Sequence, residues 1–115
     1  MEQVYIDVEE MLRRMRGNKK TVATMLGMFL EGEELKQLDD DLNNKDHAAA
    51  ELSSHGVKGM VGTLSMPILH QAAAKLNAEL KAGSPNDDTV AEYRAALEKT
   101  LVEAERVLAG LKEQE

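Results

Sequence analysis

Apolar side chains recur every three or four residues through the last part of the chain, and this spacing constrains the fold more than any other feature. The apolar positions are Val90, Tyr93, Leu97, Leu101, Ala104, Leu108 and Leu111. Residues three and four apart share one face of an α-helix, so the pattern predicts a long amphipathic helix. Its apolar face needs a partner surface, which the rest of the chain must supply.

The first part of the chain predicts a short helix followed by a longer one. Asp7 suits the N-cap of the short helix, which should stop at Gly17, and Asn18 suits the N-cap of the next. The apolar stripe of the longer helix is Val22, Met25, Phe29, Leu35, Leu38 and Leu42. This stripe loses phase near Gly32, which predicts a bend there.

Two further helices are predicted between residues 46 and 82. Asp46 should cap the first, whose inward stripe is Ala50, Ser54, Val57, Val61 and Leu64. We expect Ser65 to cap the second, where Pro67 is tolerated in the first turn. The inward stripe of this second helix is Leu69, Ala73, Leu76 and Leu80. A break at residues 83–86, Gly-Ser-Pro-Asn, then separates it from the last helix.

The predicted fold is all-α. Four long helices with short connections favour an antiparallel up-down-up-down four-helix bundle, and the short extra N-terminal helix should cover one end. The 115 residues suffice for one core, so a single domain over residues 1–115 is expected. With only three aromatic residues and seven Met, this core should be aliphatic and Met-rich.

Composition excludes several function classes. The chain contains no Cys, which removes disulfides, thiol catalysis and thiolate metal sites and suits a reducing cytoplasm. A net charge of −7 argues against nucleic acid or an anionic membrane surface as a partner. No apolar run reaches membrane-spanning length, and the first residues do not resemble a signal peptide. The acidic clusters at 31–34 and 39–41 are interpreted as solvated helix faces.

One histidine lies in a helical segment that is unusually rich in glycine. Gly56, Gly59 and Gly62 follow His55 within seven residues, although each glycine inside a helix costs about 1 kcal/mol relative to alanine. At 100° per residue, His55 lies about 130° from the centre of the inward stripe and should point outward. Lys58 should lie at the flank of the same helix. The pattern suits a histidine that exchanges an anion with another macromolecule.

These residues carry a resemblance to a known family. Residues 50–59, Ala-Glu-Leu-Ser-Ser-His-Gly-Val-Lys-Gly, continuing to Leu64, resemble the signature of histidine-containing phosphotransfer (HPt) domains. The segment from Leu69 to Asn77 and the opening residues 7–18 also fit such domains. The sequence departs from the usual HPt pattern at Gly56, where a small hydroxyl residue is common, and at Met60 and Ser65.

The resemblance implies specific roles. His55 would be the phosphoryl acceptor and donor, Lys58 would bind the phosphoryl oxygens, and Gly59 would give clearance to an incoming receiver domain. Asn77 resembles the polar residue that some members place against the acceptor imidazole. The expected partners are response-regulator receiver domains or a hybrid sensor histidine kinase, and the chain is expected to be a cytoplasmic monomer.

The chemistry of these residues fits a phosphoryl carrier that is not an enzyme by itself. A histidine side chain in water has a pKa of about 6.5 and is a competent nucleophile near pH 7. Phosphoryl transfer requires mainly positioning and neutralised charge, and Lys58 supplies one cation. The sequence has no phosphate-binding glycine loop and no kinase signature, so no cofactor is expected on this chain. Any Mg²⁺ should be bound by the partner receiver domain.

Docking of a partner requires a surface around His55. Leu52, with Met60 and Met66, is expected to offer a small apolar patch, and Glu51 and Lys75 are expected at its rim. Small patches of this kind are typical of transient signalling contacts.

Four alternatives remain. His55 could be an ordinary surface residue, with the glycines forming a close helix–helix contact. His47, Glu51 and His55, spaced four residues apart, could instead bind a metal together with His70 on a facing helix. The chain could also be an interaction module with no chemistry, or the phosphoacceptor domain of a chemotaxis-type histidine kinase.

Overall fold

The computed structural model describes residues 3–113, and six α-helices lie in that range. They are α1 (Val8–Arg14), α2 (Lys19–Glu31), α3 (Glu33–Asn43), α4 (His47–Thr63), α5 (Pro67–Lys81) and α6 (Asp87–Glu113). Between residues 3 and 113, no helix combines the length and apolar character needed to cross a membrane.

Helices α2 to α6 form a closed four-helix bundle, in which the consecutive helices α2 and α3 together take the place of the first long helix. Along the chain, α3 packs against α4, α4 against α5, and α5 against α6, while α6 closes the bundle by packing against α2. Short connections reverse the direction of the chain between successive long helices of the bundle. The predicted all-α antiparallel bundle with a short extra N-terminal helix is therefore confirmed.

The bend predicted near Gly32 is a complete break between α2 and α3. Gly32 adopts the left-handed conformation, with φ of +72°, which glycine reaches without the steric cost of a Cβ atom. The break allows α2 to pack against α6 while α3 packs against α4. It therefore places α3 beside the helix that carries His55.

Three predicted N-caps are confirmed by their hydrogen bonds. The side chains of Asp7, Asn18 and Asp46 accept from the backbone N–H three residues later, at 3.1, 3.0 and 3.2 Å. Each bond satisfies one of the free N–H groups that begin a helix. The start of α4, which sets the register of its faces, is thus fixed by Asp46.

The predicted cap at Ser65 is wrong. The N-cap residue of α5 is Met66, and among residues 3–113 no side chain caps this helix end. Ser65 instead has a left-handed backbone, with φ of +56°, and its hydroxyl donates to Oε1 of Glu10 at 3.0 Å. The N–H of Asp7 in turn donates to the Ser65 carbonyl at 2.8 Å. Ser65 therefore anchors α1 over the α4–α5 connection, which confirms that the first helix covers one end.

The apolar stripe of α6 is centred differently from the prediction. Its buried residues are Thr89, Tyr93, Ala96, Thr100, Ala104, Val107 and Leu111. Val90, Leu97, Leu101 and Leu108 are only partly buried against the core. Small side chains at the centre of the stripe let the neighbouring helices approach, and the longer leucines cover the sides.

The acidic cluster on α3 is not uniformly solvated. Asp41 is buried, with 7 % of its surface exposed. Its carboxylate accepts from Nε2 of Gln37 at 2.9 Å and from the hydroxyl of Ser53 on α4 at 2.7 Å. A buried carboxylate requires such partners. Asp41 therefore joins α3 to α4, whereas Asp39 and Asp40 are exposed as expected.

Candidate functional site

His55 lies in the middle of α4 and faces solvent. Every residue of the predicted inward stripe of this helix is buried, and the His55 side chain is exposed. Within residues 3–113, the His55 side chain makes no hydrogen bond and no ion pair. The predicted outward orientation is confirmed, and the imidazole is free to meet a visiting molecule.

The surface beside His55 is open because two glycines leave it without side chains. Gly56 and Gly59 are both exposed, and a Cβ atom added at Gly59 would meet no atom within 4 Å. Leu52, one turn before Gly56, is 78 % exposed. Gly59 therefore does not form the close helix–helix contact of the first alternative, and a Cβ atom at Gly56 would approach only the carboxylate end of Glu34.

Gly62 differs from the other two glycines of α4. A Cβ atom at this position would lie 3.1 Å from Cδ2 of His70 and 3.3 Å from its Nε2. Here the missing side chain does serve a close approach, because the His70 ring of α5 packs onto the backbone of α4. His70 is half-buried in this contact.

The predicted apolar patch is smaller than expected. Leu52 is exposed and Met60 is half-buried, but Met66 is fully buried in the core. The expected place of Lys75 at the rim is wrong as well. Its Nζ pairs with Glu92 of α6 at 3.3 Å, so this side chain extends toward α6 and not toward α4.

Lys58 lies at the flank of α4, one turn after His55. Its side chain is half-buried, as the predicted flanking position requires, and it has no ion-pair partner in the part of the chain that the structure describes. Residues three apart on a helix are neighbours on its surface. An unpaired ammonium group is therefore available next to the imidazole.

Asn77 supports the turn of α4 that carries His55. It is 2 % exposed, and its Nδ2 donates to the carbonyl of Glu51 and to Oγ of Ser54, both at 2.9 Å. The Ser54 hydroxyl also donates to the Glu51 carbonyl at 3.0 Å. Both hydrogens of the Asn77 amide are thereby used. The expected contact with the His55 imidazole is absent from the hydrogen bonds of residues 3–113, and Asn77 acts on the backbone instead.

The opposite flank of the His55 turn is acidic. A Cβ atom at Gly56 would lie 3.3 Å from Oε2 of Glu34, which extends from α3 toward Gly56. Glu34 is exposed, as expected for the acidic cluster at 31–34, but its place beside Gly56 was not predicted. The pattern of α3 could not indicate this position, because it depends on how α3 packs against α4.

The histidines do not assemble a metal site. Across residues 3–113, no three His, Cys, Asp or Glu side chains are grouped closely enough to hold a metal ion. His47, Glu51 and His55 therefore do not form the ligand set of the second alternative.

Comparison with protein families decides the class of the chain. The model of the Hpt domain matches residues 24–112, which include His55, Lys58, Gly59 and Asn77. The chain belongs to the Hpt domain family. Hpt domains take part in histidine phosphotransfer in two-component systems, as phosphoryl carriers and not as catalysts. Searches of curated proteins and of solved structures gave no significant match.

The range of the Hpt match also shows where the resemblance is carried. It begins inside α2 at residue 24, so it does not extend to the opening residues 7–18. The bundle helices α3 to α5 and nearly all of α6 lie within it. The open face of α4 is therefore part of the Hpt domain, and α1 lies outside the matched range.

Proposed function

We propose that His55 accepts a phosphoryl group from the phosphoaspartate of a receiver domain and passes it to another receiver domain. The observation that carries this proposal is the exposed, unbonded His55 beside unpaired Lys58 on the open face of an Hpt domain. The protein would act as a monomeric single-domain carrier in the cytoplasm. Its donors and acceptors would be response regulators or a hybrid sensor kinase.

The proposed transfer is a single in-line displacement. Nε2 of His55 attacks phosphorus, the new P–N bond forms, and the bond from phosphorus to the aspartyl oxygen breaks. The aspartate leaves as a carboxylate, and the imidazole proton stays on Nδ1. Such a transfer depends mainly on positioning and on neutralised charge at the equatorial oxygens. The reverse step returns the phosphoryl group to an aspartate of the next receiver.

The residues around His55 supply only part of this requirement. Lys58 can meet the added charge of about −2 as a point cation. Gly59 leaves space for the partner, and Asn77 holds the turn that carries the imidazole. The remaining positive charge, including Mg²⁺, would come from the receiver domain. The chain is therefore proposed to carry the phosphoryl group without catalysing the transfer alone.

The three histidines of the chain allow a matched test. A receiver domain phosphorylated with radiolabelled acetyl phosphate, in buffer with Mg²⁺, is mixed with the wild-type protein and with His55→Gln, His47→Gln and His70→Gln. We expect an acid-labile label on all proteins except His55→Gln. Lys58→Ala should be labelled about tenfold more slowly while it unfolds at the wild-type urea concentration. Persistent label on His55→Gln would reject the site assignment.

A further inference from the structure

We infer that Glu34 is a specificity-determining residue, which selects phosphotransfer partners that present a basic side chain opposite it at the edge of the docking interface. The inference rests on the proposed function of His55 and assigns the partner chemistry of that same site. Glu34 belongs to α3, not to the helix that carries the acceptor. A Cβ atom at Gly56 would lie 3.3 Å from Oε2 of Glu34, and this distance places the carboxylate beside the residue that follows His55.

The position of Glu34 is fixed by the packing of α3 against α4. Leu35 and Leu38 of α3 are buried in the core, and Asp41 of the same helix is hydrogen-bonded to Ser53 of α4. Glu34 and Asp41 are seven residues apart and therefore share the α4-facing side of the helix. The packing thus places Glu34 on the α4-facing side of α3, and its carboxylate lies beside the residue that follows His55.

The glycine at position 56 leaves room for this carboxylate. A Cβ atom there would lie 3.3 Å from Oε2 of Glu34, closer than an ordinary van der Waals contact. Glu34 is exposed, and within residues 3–113 it has neither a hydrogen-bond partner nor an ion-pair partner. Its negative charge is therefore presented to any protein that docks on His55.

The two flanks of the acceptor consequently differ in charge. Lys58 lies toward α5 and Glu34 toward α3, and on the helical wheel His55 lies between them. A donor brings a phosphoryl group of about −2 charge to this site. A partner with no cation opposite Glu34 meets like-charge repulsion, whereas a partner with Lys or Arg there gains an ion pair at the edge of the interface.

An exposed charge at the edge of an interface acts mainly on association. Its removal changes the encounter rate and the salt dependence more than the step that follows binding. Glu34→Gln should therefore raise the KM for a phosphorylated receiver domain about two- to fivefold, the range for an exposed ion pair. The transfer rate at saturating donor should stay at the wild-type value, and the dependence of kcat/KM on salt should weaken.

Glu33 provides the matched control. It precedes Glu34 in the first turn of the same helix, is also exposed, and is turned by about 100° toward solvent. Transfer from the receiver domain that labels wild-type His55 is measured for Glu34→Gln and Glu33→Gln at low and high salt. We expect the KM to change in Glu34→Gln only, with the urea midpoints of both variants equal to that of the wild type.

The outcomes separate the two proposals. If wild-type His55 is labelled but both variants behave alike, the role of Glu34 is rejected and the proposed function stands. A lower KM in Glu34→Gln also rejects it, because the carboxylate would then repel the partner. If no receiver domain labels wild-type His55, the proposed function fails and the inference fails with it.

Discussion

Gly59 offers a direct test of whether the open surface beside His55 serves docking or packing. Gly59 lies inside α4, four residues before its end, and a Cβ atom there would meet no atom of the described residues within 4 Å. Gly59→Ala therefore adds no steric strain. The variant should gain the helix propensity of alanine, about 0.5–1 kcal/mol of unfolding free energy.

The size of this gain can be checked by thermal unfolding. For a chain of this length, about 0.5–1 kcal/mol corresponds to a rise in Tm of roughly 2–5 °C. Gly27→Ala is the matched control, because Gly27 lies inside α2 with equally open space and α2 packs against α6. Gly62→Ala should gain less or lose stability, since its Cβ atom would lie 3.1 Å from the His70 ring.

Replacement of Gly59 should slow phosphotransfer, although alanine at the same position raises the free energy of unfolding. Gly59→Gln places a long side chain on the surface next to His55, and we expect phosphotransfer from a receiver domain to slow by about tenfold or more. Gly27→Gln, at a site remote from His55, should transfer at the wild-type rate.

Two results would refute this reasoning. A lower Tm for Gly59→Ala would mean that the glycine backbone is needed for packing. Unchanged transfer in Gly59→Gln, with the label still on His55, would mean that a docking partner does not approach over this position.

Two further predictions concern buried polar groups. Asn77→Ala loses two hydrogen bonds to α4 and should lower the free energy of unfolding in urea by about 1–3 kcal/mol. Exposed Asn44→Ala should stay within about 0.5 kcal/mol of the wild type, and equal effects of the two changes would contradict the supporting role of Asn77. The Tyr93 hydroxyl is buried without a partner among residues 3–113, so Tyr93→Phe should raise the free energy of unfolding by about 1 kcal/mol. Burial, followed by the negative charge of Asp39, raises the pKa of Tyr93 above its ordinary value of 10.0. Near pH 10 the Tyr93 hydroxyl therefore ionises readily only in the unfolded chain, so the stability of the wild type should fall above that pH relative to Tyr93→Phe. Parallel curves of stability against pH for the two proteins would refute this assignment.

Local patterns were sufficient for the helices and for the face on which His55 lies. The caps at Asp7, Asn18 and Asp46 involve side chains and N–H groups only three residues apart, so the sequence contains both partners. The periodic spacing of buried residues in α4 likewise fixes the outward direction of His55, because faces follow from 3.6 residues per turn. Both predictions depended on interactions within one helix.

Contacts between helices could not be predicted in this way. Which residues of α6 are buried depends on the helices that pack near Ala96 and Thr100. The anchoring role of Ser65 depends on its hydrogen bond to Glu10 of α1, which is 55 residues away in the sequence. Met66 was expected at the surface for the same reason. The burial and contacts of each of these side chains are determined by a partner from another part of the chain.

The same distinction between interactions within a helix and contacts between helices applies to the candidate site. By itself, the sequence determined a helical bundle with a glycine-flanked histidine and a lysine on its outer surface, because helical periodicity is a local property. Only the tertiary structure decided that Asn77 donates to the Glu51 carbonyl one turn before His55 and that the Glu34 carboxylate lies beside Gly56. Those contacts arise from the register of α5 and α3 against α4, which is set by packing across the bundle.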